Sequence, residues 1–257
     1  MKMTFSDQTH LIQSLLDLGQ LMLDCGAEIS RVEDTLDRIA KAYGAADTNV
    51  FVITSIISLT IDFPGFEPIT ETRRIFRAGG TDFVRLEKLN ALSRSICADP
   101  LPLEALHARV QSISEGKKPT YMIFLGSILA AGSYAIFFGG TIWDAVVSAL
   151  FGVLICILQI RLDRTEINTV ARNLLISLPV GLLVGVLTSL VPGLQMDKIL
   201  IGDIMLLIPG LAMINAVRNV LLGNTISGLV RLADSLLWAG SLAGGLMIAL
   251  KIIDTVL

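Results

Sequence analysis

The sequence predicts an α+β domain over residues 1–118, then an all-α membrane domain over residues 119–257 with about five transmembrane helices, the fourth broken at Pro209-Gly210. Three observations predict it. Residues 1–118 carry 13 of the 20 Lys+Arg and 16 of the 23 Asp+Glu, whereas the remaining 139 residues hold seven of each, mostly at the ends of apolar runs. A β-branched run, Asn49–Asp62, lies among stretches of helical periodicity. Beyond residue 118, apolar segments of bilayer-spanning length follow one another.

In the first domain Leu11, Leu15, Leu18 and Met22 recur at helical spacing from about Asp7 to Asp24, and Gly26 is placed to end that helix. Ser30 with Glu33 three residues on reads as a capping box for a second helix, which buries Val32, Leu36, Ile39 and Tyr43 and stops at Gly44. Asn49–Asp62 reads as one strand, Phe63-Pro64-Gly65-Phe66 as a turn, and Thr70 to Arg77 as a further strand that Gly79-Gly80 breaks. Phe83, Leu86, Leu89, Ile96 and Cys97 give a third helix, and Pro102 opens a fourth that carries Leu103, Leu106, Val110 and Ile113. The expected order is α-α-β-β-α-α. Arg73, Arg74 and Arg77 fit the wet side of a strand, and Glu28, Arg31 and Glu33 fit either a solvated face or a contact surface.

Composition narrows the chemistry. A net charge of −3 and a pI near 5.4 argue against a nucleic-acid partner. Cys25, Cys97 and Cys156 have neither metal-ligand nor CxxC spacing, and read as reduced packing residues. His10 and His107 lack a paired nucleophile, so no catalytic constellation, metal or cofactor is expected. Met1 to Gln13 is polar and leads straight into an amphipathic pattern, which places the first domain in the cytoplasm.

Five segments suit a hydrocarbon core of ~30 Å: Tyr121–Phe138, Ile142–Ile160, Val170–Val191, Ile199–Val220 and Leu229–Ile253. Lys117, Lys118, Arg161, Arg164, Arg172, Arg218 and Arg231 then fall on one side, and Lys198 and Lys251 on the other; the positive-inside rule puts the N-terminus in the cytoplasm and the C-terminus outside. Gly181-xxx-Gly185 and Gly240-xxx-Gly244 put small residues on one helix face, as in a bundle with close backbone approach. Trp143-Asp144 reads as an interfacial anchor and helix cap.

The fourth segment carries the functional signal. A Pro-Gly break frees backbone groups that lipid cannot hydrogen-bond, so it is either a solvated kink or a site buried in protein. Discontinuous helices hold substrate in many transporters, with a helix N-terminus offered to an anion. Pro209 and Gly210 are therefore candidate substrate residues, with Asn215 and Arg218 on one face of the helix that follows. Asp203 is the candidate proton carrier, unless it merely faces interfacial water at the outer boundary.

Gly26-Ala27-Glu28 with Val32-Glu33, Trp143-Asp144, Leu206-Leu207-Ile208-Pro209-Gly210, Ile214-Asn215-Ala216, Gly223, Ser227-Gly228-Leu229 and Arg231 together resemble the threonine/serine exporter family, over essentially the whole chain. The family pattern often has an acidic residue where this chain has Asn219. The resemblance implies a cytoplasmic domain joined to a membrane domain in the bacterial plasma membrane. It also implies proton-motive-force-dependent export of serine/threonine-type amino acids or, in relatives split into two chains, of a dicarboxylate such as succinate. The domain order is that of the larger chain of the split type. A second helical bundle is then expected from a small membrane protein, or from a second copy by two-fold symmetry. The competing function is a membrane-anchored ligand sensor whose soluble domain binds the metabolite.

Overall fold

The computed structural model describes residues 4–75, 81–116, 120–163, 165 and 167–256. Arg77, Gly79, Gly80, Lys117, Lys118 and Arg164 lie outside the described residues. The chain forms two compact units: Met1–Lys117 with Ile214–Arg231, and Lys118–Met213 with Leu232–Leu257.

The first unit opens with α1 (Phe5–Asp24) and α2 (Ile29–Ala42). Leu11, Leu15, Leu18 and Met22 are fully buried, as their spacing requires. Gly26 and Gly44 take the left-handed φ that ends each helix, 89° and 91°. The capping box expected at Ser30 and Glu33 is absent. The N-cap of α2 is Glu28, without a side-chain capping bond, and Glu33 instead accepts from the Val52 N–H at 3.1 Å. Burial holds the Glu33 carboxyl above the usual range for a glutamate.

The single strand expected over Asn49–Asp62 is two, β1 (Asp47–Ile53) and β2 (Ile56–Asp62), joined at Thr54-Ser55 with Ile53 opposite Ile56. No Gly, Asn or Pro marks that turn, so the β-branched run hides it. Strand β3 (Ile69–Arg74) completes an antiparallel sheet in the order β1-β2-β3. Val52, Ile57, Leu59 and Ile61 face the helices, while Ser58–Thr72 and Thr60–Thr70 hydroxyl pairs line the other face. Arg73 does not lie on the wet face: it is directed to the helix layer, where it pairs with Asp17 of α1. Helices α3 (Phe83–Ala98) and α4 (Leu103–Glu115) close this core, and the Tyr43 hydroxyl donates to the Leu101 carbonyl at 2.7 Å. Cys25 is buried in it, but Cys97 is exposed on α3 and is not a packing residue.

Among the described residues, four helices are long and apolar enough to cross a membrane: α5 (Thr120–Phe137), α6 (Ile142–Leu162), α7 (Thr169–Leu190) and α10 (Thr225–Val256). The expected fourth segment is two short helices, α8 (Met196–Ile204) and α9 (Gly210–Leu221). At 1.5 Å per residue α8 extends only ~14 Å and α9 ~18 Å, so neither spans alone. Among the glycine pairs, Gly181-xxx-Gly185 packs as its pattern suggests. A Cβ on Gly181 would sit 2.8 Å from the Ala249 Cβ, and one on Gly185 would overlap the Ile253 side chain. Gly240 and Gly244 behave differently, since a Cβ on either meets nothing within 4 Å. In the same stretch of α10 the inward glycine is Gly245, next to Gly244 and packed on the Leu174 carbonyl and Ser177 of α7.

Candidate functional site

Asp203 occupies the last turn of α8 in the second unit and is only 1 % exposed. Close packing brings it there. A Cβ on Gly202 would stand 2.5 Å from Ser148 Oγ and 2.7 Å from the Ala131 carbonyl, so only glycine lets α8 lie against α5 and α6. Those two helices are themselves in backbone contact: a Cβ on Gly152 would meet the Ser127 carbonyl at 2.9 Å. The result is one buried polar pair. The Ser148 hydroxyl donates to Asp203 Oδ1 at 2.8 Å, and Oδ2 has no hydrogen-bond partner among the described residues. An unpaired carboxylate oxygen in an apolar bundle is costly, so such a group calls for a proton or a cation.

Asp144 is equally buried but fully used. The N-cap of α6 is Thr141 and not Asp144, which as the third helical residue of the capping box accepts from the Thr141 N–H and hydroxyl at 2.7 and 2.8 Å, while its other oxygen accepts from the Gln195 N–H at 2.8 Å, tying the start of α6 to the start of α8. Trp143 beside it is 73 % exposed.

Between α8 and α9 the helix is interrupted over Met205–Pro209 and not just kinked. The Leu207 and Ile208 N–H groups both turn back to the Ile204 carbonyl, and Gly210 N–H goes to Ile208. Met213 N–H to the Pro209 carbonyl, 3.0 Å, closes the first turn of α9, leaving the Leu211 and Ala212 amides ahead of it as N-terminal donors. The surroundings of Gly210 are open, with nothing within 4 Å of its Cβ position.

Along α9, Asn215 is half-buried and Arg218 exposed. Arg218 Nη1 lies 2.7 Å from Glu28 Oε1, inside the first unit. Asn219 is only 1 % exposed, and its Nδ2 has no partner among the described residues. Gly223, with φ of 90°, ends α9, and the Asn224 N–H returns to the Asn219 carbonyl at 2.9 Å. The hairpin into α10 is tight, because a Cβ on Gly228 would meet the Ala216 carbonyl at 2.8 Å. The structure thus places Asp203 with Ser148, and Arg218 with Glu28. Ser148 was not singled out in the sequence; its signal was the small pair Ser148-xxx-Gly152 on α6.

The family model described as "Putative threonine/serine exporter" matches residues 13–253. The chain belongs to that family. A curated relative, the "Probable threonine/serine exporter" of Mycobacterium tuberculosis, is 25 % identical over 238 residues, 91 % of this chain and 44 % of the relative. The chain therefore spans less than half the length of the relative it matches. No solved structure matches it. Family membership and four long apolar helices make this a multi-pass membrane protein. The family-like motifs also acquire local roles: Gly26 turns the chain before Glu28, Gly223 ends α9, and Gly228 admits the Ala216 backbone.

Proposed function

We propose that this chain is a subunit of a proton-motive-force-dependent secondary exporter of small carboxylate-bearing metabolites, serine/threonine-type amino acids in the first place and a dicarboxylate such as succinate as the alternative. The observation that carries it is a helix interrupted at Pro209-Gly210 and preceded, in the last turn before the interruption, by a buried carboxylate with one oxygen unpaired. In this account α8 and α9 together make a fifth, discontinuous span. The α9 N-terminus, Asn215 and Arg218 bind the solute, and Asp203, held by Ser148, takes and releases the proton.

The N-terminus and the 1–118 domain are cytoplasmic, and the C-terminus of the 119–257 domain is outside the plasma membrane. Arg218 and Arg231 belong to the compact unit that holds the N-terminal layer, in keeping with the positive-inside rule. A second helical bundle is supplied by a small membrane protein of the split-family type; the relative's additional length supports this arrangement. The protein is a transporter and not an enzyme. Counterflow of labelled L-serine, L-threonine and succinate in proteoliposomes, with the chain alone and with a neighbouring small membrane protein, tests the function. Exchange of one of these solutes supports it, and no exchange in either preparation contradicts it.

A further inference from the structure

The guanidinium assigned above to a solute carboxylate already holds one. Arg218 Nη1 lies 2.7 Å from Glu28 Oε1, and both residues belong to one compact unit. Glu28 is the N-cap of α2, yet its side chain makes no capping bond, so the carboxylate serves Arg218 and not its own helix. Its backbone is fixed: Gly26 turns at φ 89°, the Ala27 N–H reaches the Met22 carbonyl at 2.9 Å, and Ala27 is buried. The side chain is the part free to move. One residue along α9, Asn219 carries a buried amide nitrogen with no partner among the described residues, a donor that the present arrangement leaves unused.

Resting on the transport reading above, we propose that Glu28 is a tethered stand-in for the solute's carboxylate, and that the solute binds by displacing Glu28 from Arg218. The exchange is nearly balanced, because one carboxylate–guanidinium pair replaces another. The resident pair is also weak enough to yield, with side chains 57 % and 26 % exposed for Arg218 and Glu28. Released Glu28 stays beside the N-terminus of α2, where the helix dipole favours negative charge. The arriving carboxylate has two oxygens to satisfy, and the planar guanidinium of Arg218 can donate to both at once. An empty transporter is thus held with its cation neutralised, and solute loading frees the start of α2.

The test is equilibrium binding of L-threonine, with succinate in parallel, to the purified full chain and its Glu28→Gln and Glu28→Ala variants. Removing the internal competitor should tighten binding about two- to fivefold in both variants, the range expected for an exposed ion pair. Unchanged or weaker binding in the variant that folds overturns the exchange while leaving solute binding itself standing. Failure of every form to bind or transport either solute overturns the transport reading and this inference with it.

Discussion

The Ser148 hydroxyl donates to Asp203 Oδ1 at 2.8 Å, and Asp203 Oδ2 is left without a described partner in the same buried contact between α6 and α8. A side chain so placed can exchange a proton for function without being needed to hold the helices together, since Gly202, whose Cβ position is 2.5 Å from Ser148 Oγ, already sets their approach. Asp203→Asn should therefore abolish gradient-driven accumulation of solute and spare counterflow. Ser148→Ala should slow accumulation roughly tenfold, in line with about 1–3 kcal/mol for a lost buried polar partner. Parallel measurement of the two transport modes separates these effects; loss of both modes together in Asp203→Asn contradicts the assignment.

The interrupted helix yields a second expectation. Asn215→Ala and Pro209→Ala should each abolish export while membrane insertion and expression remain close to wild type. Arg218→Lys keeps the charge and loses the planar fork, so its defect should be milder. Export assays normalised to protein level check this, and wild-type export by Asn215→Ala removes Asn215 from the site.

Glycines at similar spacing should differ in their tolerance of side chains. Gly181→Leu forces a side chain against Ala249 and Leu246, an overpacking that typically costs about 1–3 kcal/mol. Gly240→Ala meets open space and removes a helix-interior glycine, for a gain of about 0.5–1 kcal/mol. Thermal unfolding of the two variants in detergent should move in opposite directions; equal destabilisation contradicts the packing described.

In the first unit, burial raises the Glu33 pKa in the folded state. The folded state then binds the proton more tightly, so this stability is fully present below the ordinary glutamate pKa of about 4.3 and is lost as pH rises through the folded value. Glu33→Gln, which keeps the acceptor for the Val52 N–H, should raise the melting temperature at pH 7 and leave it nearly unchanged at pH 4. A variant less stable at pH 7 refutes this.

Much of this was legible in the sequence, and the exceptions have physical causes. Helix faces such as Leu11-Leu15-Leu18-Met22 were readable because burial imposes a period, and the helix break because Pro-Gly cannot continue a span. The β1–β2 turn at Thr54-Ser55 is hidden because no turn residue marks it, although core positions shift there from even (Val50, Val52) to odd (Ile57, Leu59, Ile61). Glu33 resembled a capping residue by spacing, but the Val52 amide of a neighbouring strand took it. Glycine spacing alone could not tell the packed Gly181 from the open Gly240, which depends on where the neighbouring helix lies. The pairing of Glu28 with Arg218 is long-range and leaves no local pattern at all.

Proton-coupled movement of a small carboxylate is read out by uptake into everted membrane vesicles carrying this chain. With labelled L-serine, L-threonine and succinate, at least one solute should accumulate under a proton gradient, and the accumulation should collapse when a protonophore is added. Accumulation indifferent to the protonophore, or none for all three solutes in vesicles that also carry the small membrane partner, would contradict it.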